Sequence, residues 1–250
     1  MLAVDLANYT DVPTPVQLAQ LKALGVTRAV IGCSYPRQYP DGPKYIGATQ
    51  LAAFYAAGFE VEAYAWVTFA AGWEALVDQT LTAIARLPAV RRVWLDCEED
   101  PGTATPAQVE ARIAACAARV MLARPDLVVG IYTGTWWWDA STGSSARFKT
   151  FPLWCAGYGP VLTLPRAWKS AVMWQYADHL DGTDYNVDVS RILEGPMTSD
   201  EQAAFDALAR AHADLQQQVT ALANGTDAVL KGALRYVWAL AAKAWPWPAP

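Results

Sequence analysis

The sharpest chemistry in the sequence lies at Val93-Trp-Leu-Asp96-Cys-Glu98-Glu99-Asp100, where an apolar run ends abruptly in acids. Asp96 and Glu98 are two residues apart. On an extended chain that spacing sends both side chains to one face, with β-carbons roughly 6–7 Å apart. Crowded carboxylates repel, so at least one is expected to hold its proton near neutral pH while the other stays ionised. Glycoside cleavage needs that division: one group protonates the leaving oxygen and another supports positive charge at the sugar carbon. The plainer reading is that these acids cap the next helix or solvate a loop, and an Asp-x-Glu gains catalytic meaning only from its context.

Asp5 and Asp188 stand in two other β-rich runs. With Asp96 and Glu98 they could equally form an oxygen cage for calcium or magnesium. His179 and His212 lack metal-ligand spacing, which disfavours zinc. No Gly-rich phosphate loop and no Gly-x-Ser-x-Gly elbow is present, so nucleotide and serine-hydrolase chemistry are set aside. The reading carried forward has no metal and no cofactor. Cys33, Cys97, Cys116 and Cys155 lack paired spacing and are expected as buried thiols. A net charge of -5 and few basic clusters argue against a nucleic-acid partner.

Twelve tryptophans allow either core packing or a sugar site, in which flat rings cover the apolar faces of pyranoses. Several fall near predicted strand ends, in Tyr64-Ala-Trp66, Trp136-Trp137-Trp138 and Trp174-Gln175-Tyr176, which favours the sugar site.

The elements that must position these groups alternate from Leu2 to about Ile192 as short β-rich runs and helical stretches, the α/β pattern of crossover units. Strands are expected at Leu2–Asp5, Thr27–Cys33, Glu60–Val67, Arg91–Asp96 and Leu127–Thr133. Thr14-Pro15 and Thr105-Pro106 read as N-cap plus first-turn proline. Helices are also expected over Thr49–Ala57 and Gly72–Arg86. After Thr133 no helix is expected, and Phe151–Ala156, Ala171–Tyr176 and Val187–Ser190 read as three further strands. Eight strands suggest a closed TIM-like barrel of parallel-type strands over residues 1–195, five βα units followed by three strands. Its active site would lie at the C-terminal strand ends, where Asp5, Asp96 and Tyr64 fall; Asp188 lies within the last strand.

The tail differs. Phe205, Leu208, His212, Leu215, Val219 and Leu222 step alternately by three and four, predicting a short heptad-patterned helix over 196–225. Over 226–250 an apolar stretch with Lys231, Arg235 and Lys243 on one face ends in Trp245-Pro-Trp247-Pro. It is too short and too charged for a membrane span. A packing surface for self-association or particle docking is favoured over membrane contact. Met1-Leu-Ala-Val-Asp5 has no basic segment followed by an apolar stretch, so synthesis in the cytoplasm without a signal peptide is expected, with delivery by lysis or on a phage particle.

At several places in order the chain resembles glycoside hydrolase family 25, the Chalaropsis-type lysozymes. Ala3-Val-Asp5-Leu-Ala resembles the family's opening strand and Val93-Trp-Leu-Asp96-Cys-Glu98 its Asp-x-Glu strand. Ile131-Tyr132-Thr133, Leu153-Trp-Cys-Ala-Gly-Tyr158, Trp174-Gln-Tyr176 and Val187-Asp188 are similar to later signatures. The resemblance implies hydrolysis of the β-1,4 bond between N-acetylmuramic acid and N-acetylglucosamine. It implies Glu98 as general acid/base, Asp96 assisting at the anomeric side, and Asp5 and Asp188 shaping the field and binding sugar. Tyr64 resembles a mouth tyrosine of the family; Trp66, Tyr132, Trp174 and Tyr176 complete the candidate substrate-binding set. The chain departs from the family pattern at Asp5-Leu6-Ala7, Gly32-Cys-Ser-Tyr35 and Tyr64-Ala65. The expectation is therefore a peptidoglycan hydrolase. The alternative is a glycan-binding or structural phage particle protein that keeps the barrel without turnover.

Overall fold

Period-two alternation decides where each strand residue goes. Along β3 (Glu60–Trp66), Val61, Ala63 and Ala65 pack outward, while Tyr64 joins a smaller cluster on the inside. The structure, a computed structural model, describes residues 1–7, 10–34 and 46–193. The other elements are β1 (Leu2–Leu6), α1 (Pro15–Ala23), β2 (Val26–Gly32), α2 (Gly47–Ala56), α3 (Trp73–Ile84), β4 (Arg92–Asp96), α4 (Pro106–Ala123), β5 (Val128–Gly134), α5 (Thr135–Ser141), β6 (Leu153–Ala156), β7 (Met173–Ala177) and β8 (Asp188–Ile192). The helices expected within 196–225 and 226–250 lie outside the described residues.

The eight strands close into a barrel in sequence order. One direction differs from the expected all-parallel arrangement: β1 to β7 pair in parallel, but β8 is antiparallel to both β7 and β1. A parallel neighbour needs a crossover of a dozen or more residues to bring the chain back, whereas an antiparallel one needs only a turn. The link over 178–187 is too short for the former, so the chain re-enters the sheet at the mouth and runs toward the floor.

Helix starts follow local chemistry. At α1, Thr14 Oγ1 accepts from the Gln17 amide at 3.3 Å, and Gln17 Oε1 accepts from the Thr14 amide at 2.9 Å. Thr105 and Gln108 repeat this box at α4, again with proline at the first position. Gly25, at φ +86°, turns the chain out of α1.

A further difference from expectation is α5. The run Trp136-Trp137-Trp138 reads as β-prone, but Trp137 and Trp138 bury one side of a short helix and donate to the carbonyls of Glu99 and Ser145. Burial of two indoles outweighs weak helix propensity.

Two cores result. The larger lies between strands and helices and contains Leu21, Leu51, Phe54, Ile113 and Trp138. The smaller fills the barrel with Ala3, Val30, Tyr64, Trp94, Tyr132, Trp154 and Met173. Trp94 and Trp154 meet edge to face at 5.6 Å, and Trp154 packs on Tyr132 at 4.4 Å. Below them, Glu62 accepts from Trp94 Nε1 at 2.6 Å and pairs with Arg28 and Arg92 at 3.3 and 3.5 Å. The aromatic layer is a plug, and what lies above it is the mouth. All four cysteines are buried free thiols.

Candidate active site

Four carboxylates meet above the plug. Asp5 is the last residue but one of β1 and Asp96 ends β4; Glu98 follows two residues on, with buried Cys97 turned the other way. Because β8 starts at the mouth, Asp188 is the register partner of Asp5. All four line one cleft of about 190 Å³. No group of three or more His, Cys, Asp or Glu among the described residues is arranged to hold a metal ion.

Gln175, only 2% exposed, ties the acids together. Its Nε2 donates to both oxygens of Asp5 at 3.2 and 3.1 Å and to Asp188 Oδ2 at 3.2 Å. Its Oε1 accepts from Tyr132 Oη at 2.8 Å and from Tyr158 Oη at 3.4 Å.

Burial pushes every one of these acids upward, and a neighbouring carboxylate adds to each. Burial raises Asp5 well above the ordinary carboxylate range and Asp188 adds to it, while the Gln175 hydrogen bond opposes the rise. Asp96 is raised by burial and then by Glu98, Asp5 and Glu99. Glu98 is raised by burial and by Asp188. Asp188 is pushed to about 6 by burial and Asp178. The carboxyls of the cleft therefore keep their protons to higher pH than isolated ones would. Asp96, 4% exposed, keeps Oδ1 buried without a hydrogen-bond partner among the described residues.

The walls are aromatic. Tyr64, Trp66, Tyr132 and Trp154 line the cleft. Tyr64 lies so close to Gly32 that a β-carbon there would fall 2.5 Å from the phenol oxygen. Trp66 is fixed by Glu99: its Nε1 donates to Oε2 at 2.6 Å, while Thr68 Oγ1 and the Phe69 amide donate to Oε1 at 2.7 and 3.1 Å.

Of the residues expected from sequence, the structure thus brings together Asp5, Asp96, Glu98, Asp188, Tyr64, Trp66 and Tyr132. Trp174 and Tyr176 are not among the lining residues. Trp174 has the opposite strand parity to inward-facing Met173 and Gln175, and its Nε1 donates to the Gly157 carbonyl at 2.8 Å. Tyr176 is the extra residue of a bulge, since Gln175 pairs with Ser190 and Ala177 with Val189. Arg191 sits over both rings, at 5.6 and 5.0 Å. Gln175, Trp154, Thr10 and Asn186 are lining residues that sequence reasoning missed. Gln175 could have been found by applying period two to Trp174-Gln-Tyr176.

A carboxyl raised toward its protonated form beside further acids, between walls of tryptophan and tyrosine, meets what cleavage of a glycosidic bond requires; the chain is of that class, a glycoside hydrolase on an eight-stranded barrel. Its lineage is equally definite. The model of glycosyl hydrolases family 25 matches residues 4–184, and the chain belongs to that family. The fold is shared with a muramidase from Acremonium alcalophilum (TM-score 0.63, 22% identity, covering 84% of this chain and 99% of that one). It is shared with a lysozyme from Streptomyces coelicolor (0.65, 23%, 83% and 96%) and a family GH25 lysozyme from Aspergillus fumigatus (0.63, 19%, 80% and 97%). Comparison with curated proteins gave no match.

Proposed function

We propose that the chain is an N-acetylmuramidase that hydrolyses the β-1,4 bond between N-acetylmuramic acid and N-acetylglucosamine in peptidoglycan. The observation that carries this is the placing of Glu98, raised toward its protonated form, beside Asp96 in one cleft. Glu98 donates its proton to the glycosidic oxygen as the bond to the anomeric carbon breaks. Asp96, which lines the same cleft, accepts from the N–H of the substrate's acetamido group and orients it beside the positive charge that develops at that carbon. Water then adds to the anomeric carbon and returns its proton to Glu98. Asp5 and Asp188, held by Gln175, supply negative field. Tyr64, Trp66 and Tyr132 bind the sugar. The named relatives, described as muramidases and lysozymes, support this choice of substrate.

The test is digestion of purified cell walls, with released reducing ends counted and products identified by mass spectrometry. Glu98→Gln is expected to lower the rate by roughly 10²–10⁴-fold. Equal activity in the two proteins would remove the catalytic assignment. Binding of muropeptides without release of reducing ends would replace it with a glycan-binding role.

Residues 196–250 we assign to self-association or particle docking, on the heptad spacing and the Lys231, Arg235 and Lys243 stripe. Release by lysis or carriage on a phage particle is part of the same proposal. An unchanged sedimentation mass after deletion of Ser199–Pro250 would count against self-association.

A further inference from the structure

The two arginines of α4 are used differently. Arg119 pairs with Asp78 at 2.6 Å, whereas Arg112 has no carboxylate partner among the described residues. Its Nη1 donates instead to the backbone carbonyls of Thr68 at 2.5 Å and Ala70 at 3.1 Å, and its guanidinium lies over the Trp73 ring at 5.2 Å. Thr68 and Ala70 belong to the segment that joins β3 to α3, and Trp73 opens α3. A helix on the outside of the barrel thus grips the loop that begins directly after Trp66.

The same loop donates to Glu99. Thr68 Oγ1 and the Phe69 amide share Oε1, and Oε2 takes the indole N–H of Trp66, whose ring lines the cleft. The Thr68 carbonyl and the Phe69 amide are the two ends of one peptide group, so its oxygen meets the Arg112 cation and its hydrogen the Glu99 carboxylate. A peptide dipole between opposite charges is favoured by both, and each hydrogen bond in such a chain polarises the next. Among the described residues no lysine or arginine pairs with Glu99, and Arg112 is the cation this network reaches.

The acid pair is anchored by other means. Cys97, between Asp96 and Glu98, donates its amide to the Tyr132 carbonyl at 2.9 Å, and its carbonyl accepts from Thr133 Oγ1 at 2.9 Å. The Glu99 carbonyl accepts from Trp137 Nε1 at 2.8 Å. The backbone on both sides of Glu98 is therefore tied to β5 and α5, so loss of Arg112 loosens the loop and the indole while the acids keep their places.

Building on the muramidase reading, we propose that Arg112 is a positioning residue for sugar binding: through the Thr68–Phe69 peptide and Glu99 it holds the Trp66 ring in the wall of the cleft. It touches no substrate, and its effect falls on how tightly a glycan strand is seated.

The test is steady-state cleavage of peptide-free glycan strands by wild type, Arg112→Met, Arg112→Lys, Trp66→Ala and the double variant of Arg112→Met with Trp66→Ala. Arg119→Met serves as a control on the same helix. Arg112→Met keeps the apolar stem and removes the donors; it is expected to raise KM about three- to tenfold, with kcat within about twofold of wild type. Arg112→Lys keeps the charge and its donors and should lie closer to wild type; if Arg112→Met does not fold, the smaller rise in Arg112→Lys carries the comparison. Arg119→Met should move neither constant. Once Trp66 is gone, Arg112→Met should raise KM no further, a pattern that a role in stability alone does not produce. An unchanged KM in Arg112→Met, a loss confined to kcat, or a KM rise of the same size with and without Trp66 overturns the assignment while the muramidase reading stands. If wild type cleaves nothing, dissociation constants for the same strands, measured by titration calorimetry, take the place of KM. The expected pattern in those constants upholds the role of Arg112 while the muramidase assignment falls. Absence of binding, or equal binding by wild type and Arg112→Met, removes both.

Discussion

Replacing Asp188 by Asn should stabilise the barrel at neutral pH and leave it unchanged in acid. Asp188 is one of the four carboxyls above the aromatic plug, and burial, with Asp178 adding to it, raises its pKa from 3.8 to about 6 on folding. Between those values the folded chain binds more protons than the unfolded one, so stability falls as pH climbs through the interval. For a group sealed from water the shift would cost about 3 kcal/mol above pH 6. Asp188 is only partly buried, and screening by solvent reduces this to about 1–2 kcal/mol. Asn cannot ionise, yet its carbonyl oxygen can still accept from Gln175 Nε2. At pH 7.5 Asp188→Asn should therefore gain about 1–2 kcal/mol, a rise of roughly 3–6 °C in Tm for a unit of this size. At pH 3, below the unfolded value, the two proteins should melt together. Urea and thermal unfolding followed by circular dichroism at both pH values measure this. A variant less stable than wild type at pH 7.5, or a gain of equal size at both pH values, would refute the account of a carboxylate strained by burial.

Three other perturbations probe the scaffold. Glu99→Gln leaves one acceptor oxygen where Trp66, Thr68 and Phe69 now share two, so Trp66 loosens and KM for glycan strands should rise several-fold with the melting temperature little changed. Gly130→Ala would put a β-carbon 2.4 Å from the ring of fully buried Trp94, and denaturant unfolding should show a loss of about 1–3 kcal/mol. Thr105→Ala removes the N-cap of α4 and should lower stability by about 1 kcal/mol in the same assay.

Much of the fold was legible because local signals agreed. The Thr-Pro starts of α1 and α4 state their caps outright, and apolar runs ending in Asp5 and Asp96 mark strand ends at a mouth. The four acids could be grouped because a barrel brings strand ends together wherever they fall in the sequence. Gln175 escaped notice because an amide between two aromatics looks incidental; only parity shows that it faces inward while Trp174 faces out. Tyr176 depends on a bulge, a feature of pairing between two strands that neither strand's sequence announces. The helix α5 was hidden by residue types that favour strands, and its formation rests on burial against partners distant in the sequence. The reversal of β8 was readable in principle from the short link over 178–187, since loop length limits strand direction.

That reversal also fixes where the barrel can be held. Ile192 donates its amide to the Met1 carbonyl at 3.1 Å, so the first and last residues of the closed sheet sit side by side at the floor, across the plug from the acids. A fusion or surface anchor joined at residue 1 or after residue 193 would thus leave by the same side, and the cleft would face away from the attachment. The barrel can be immobilised by either end without covering its opening.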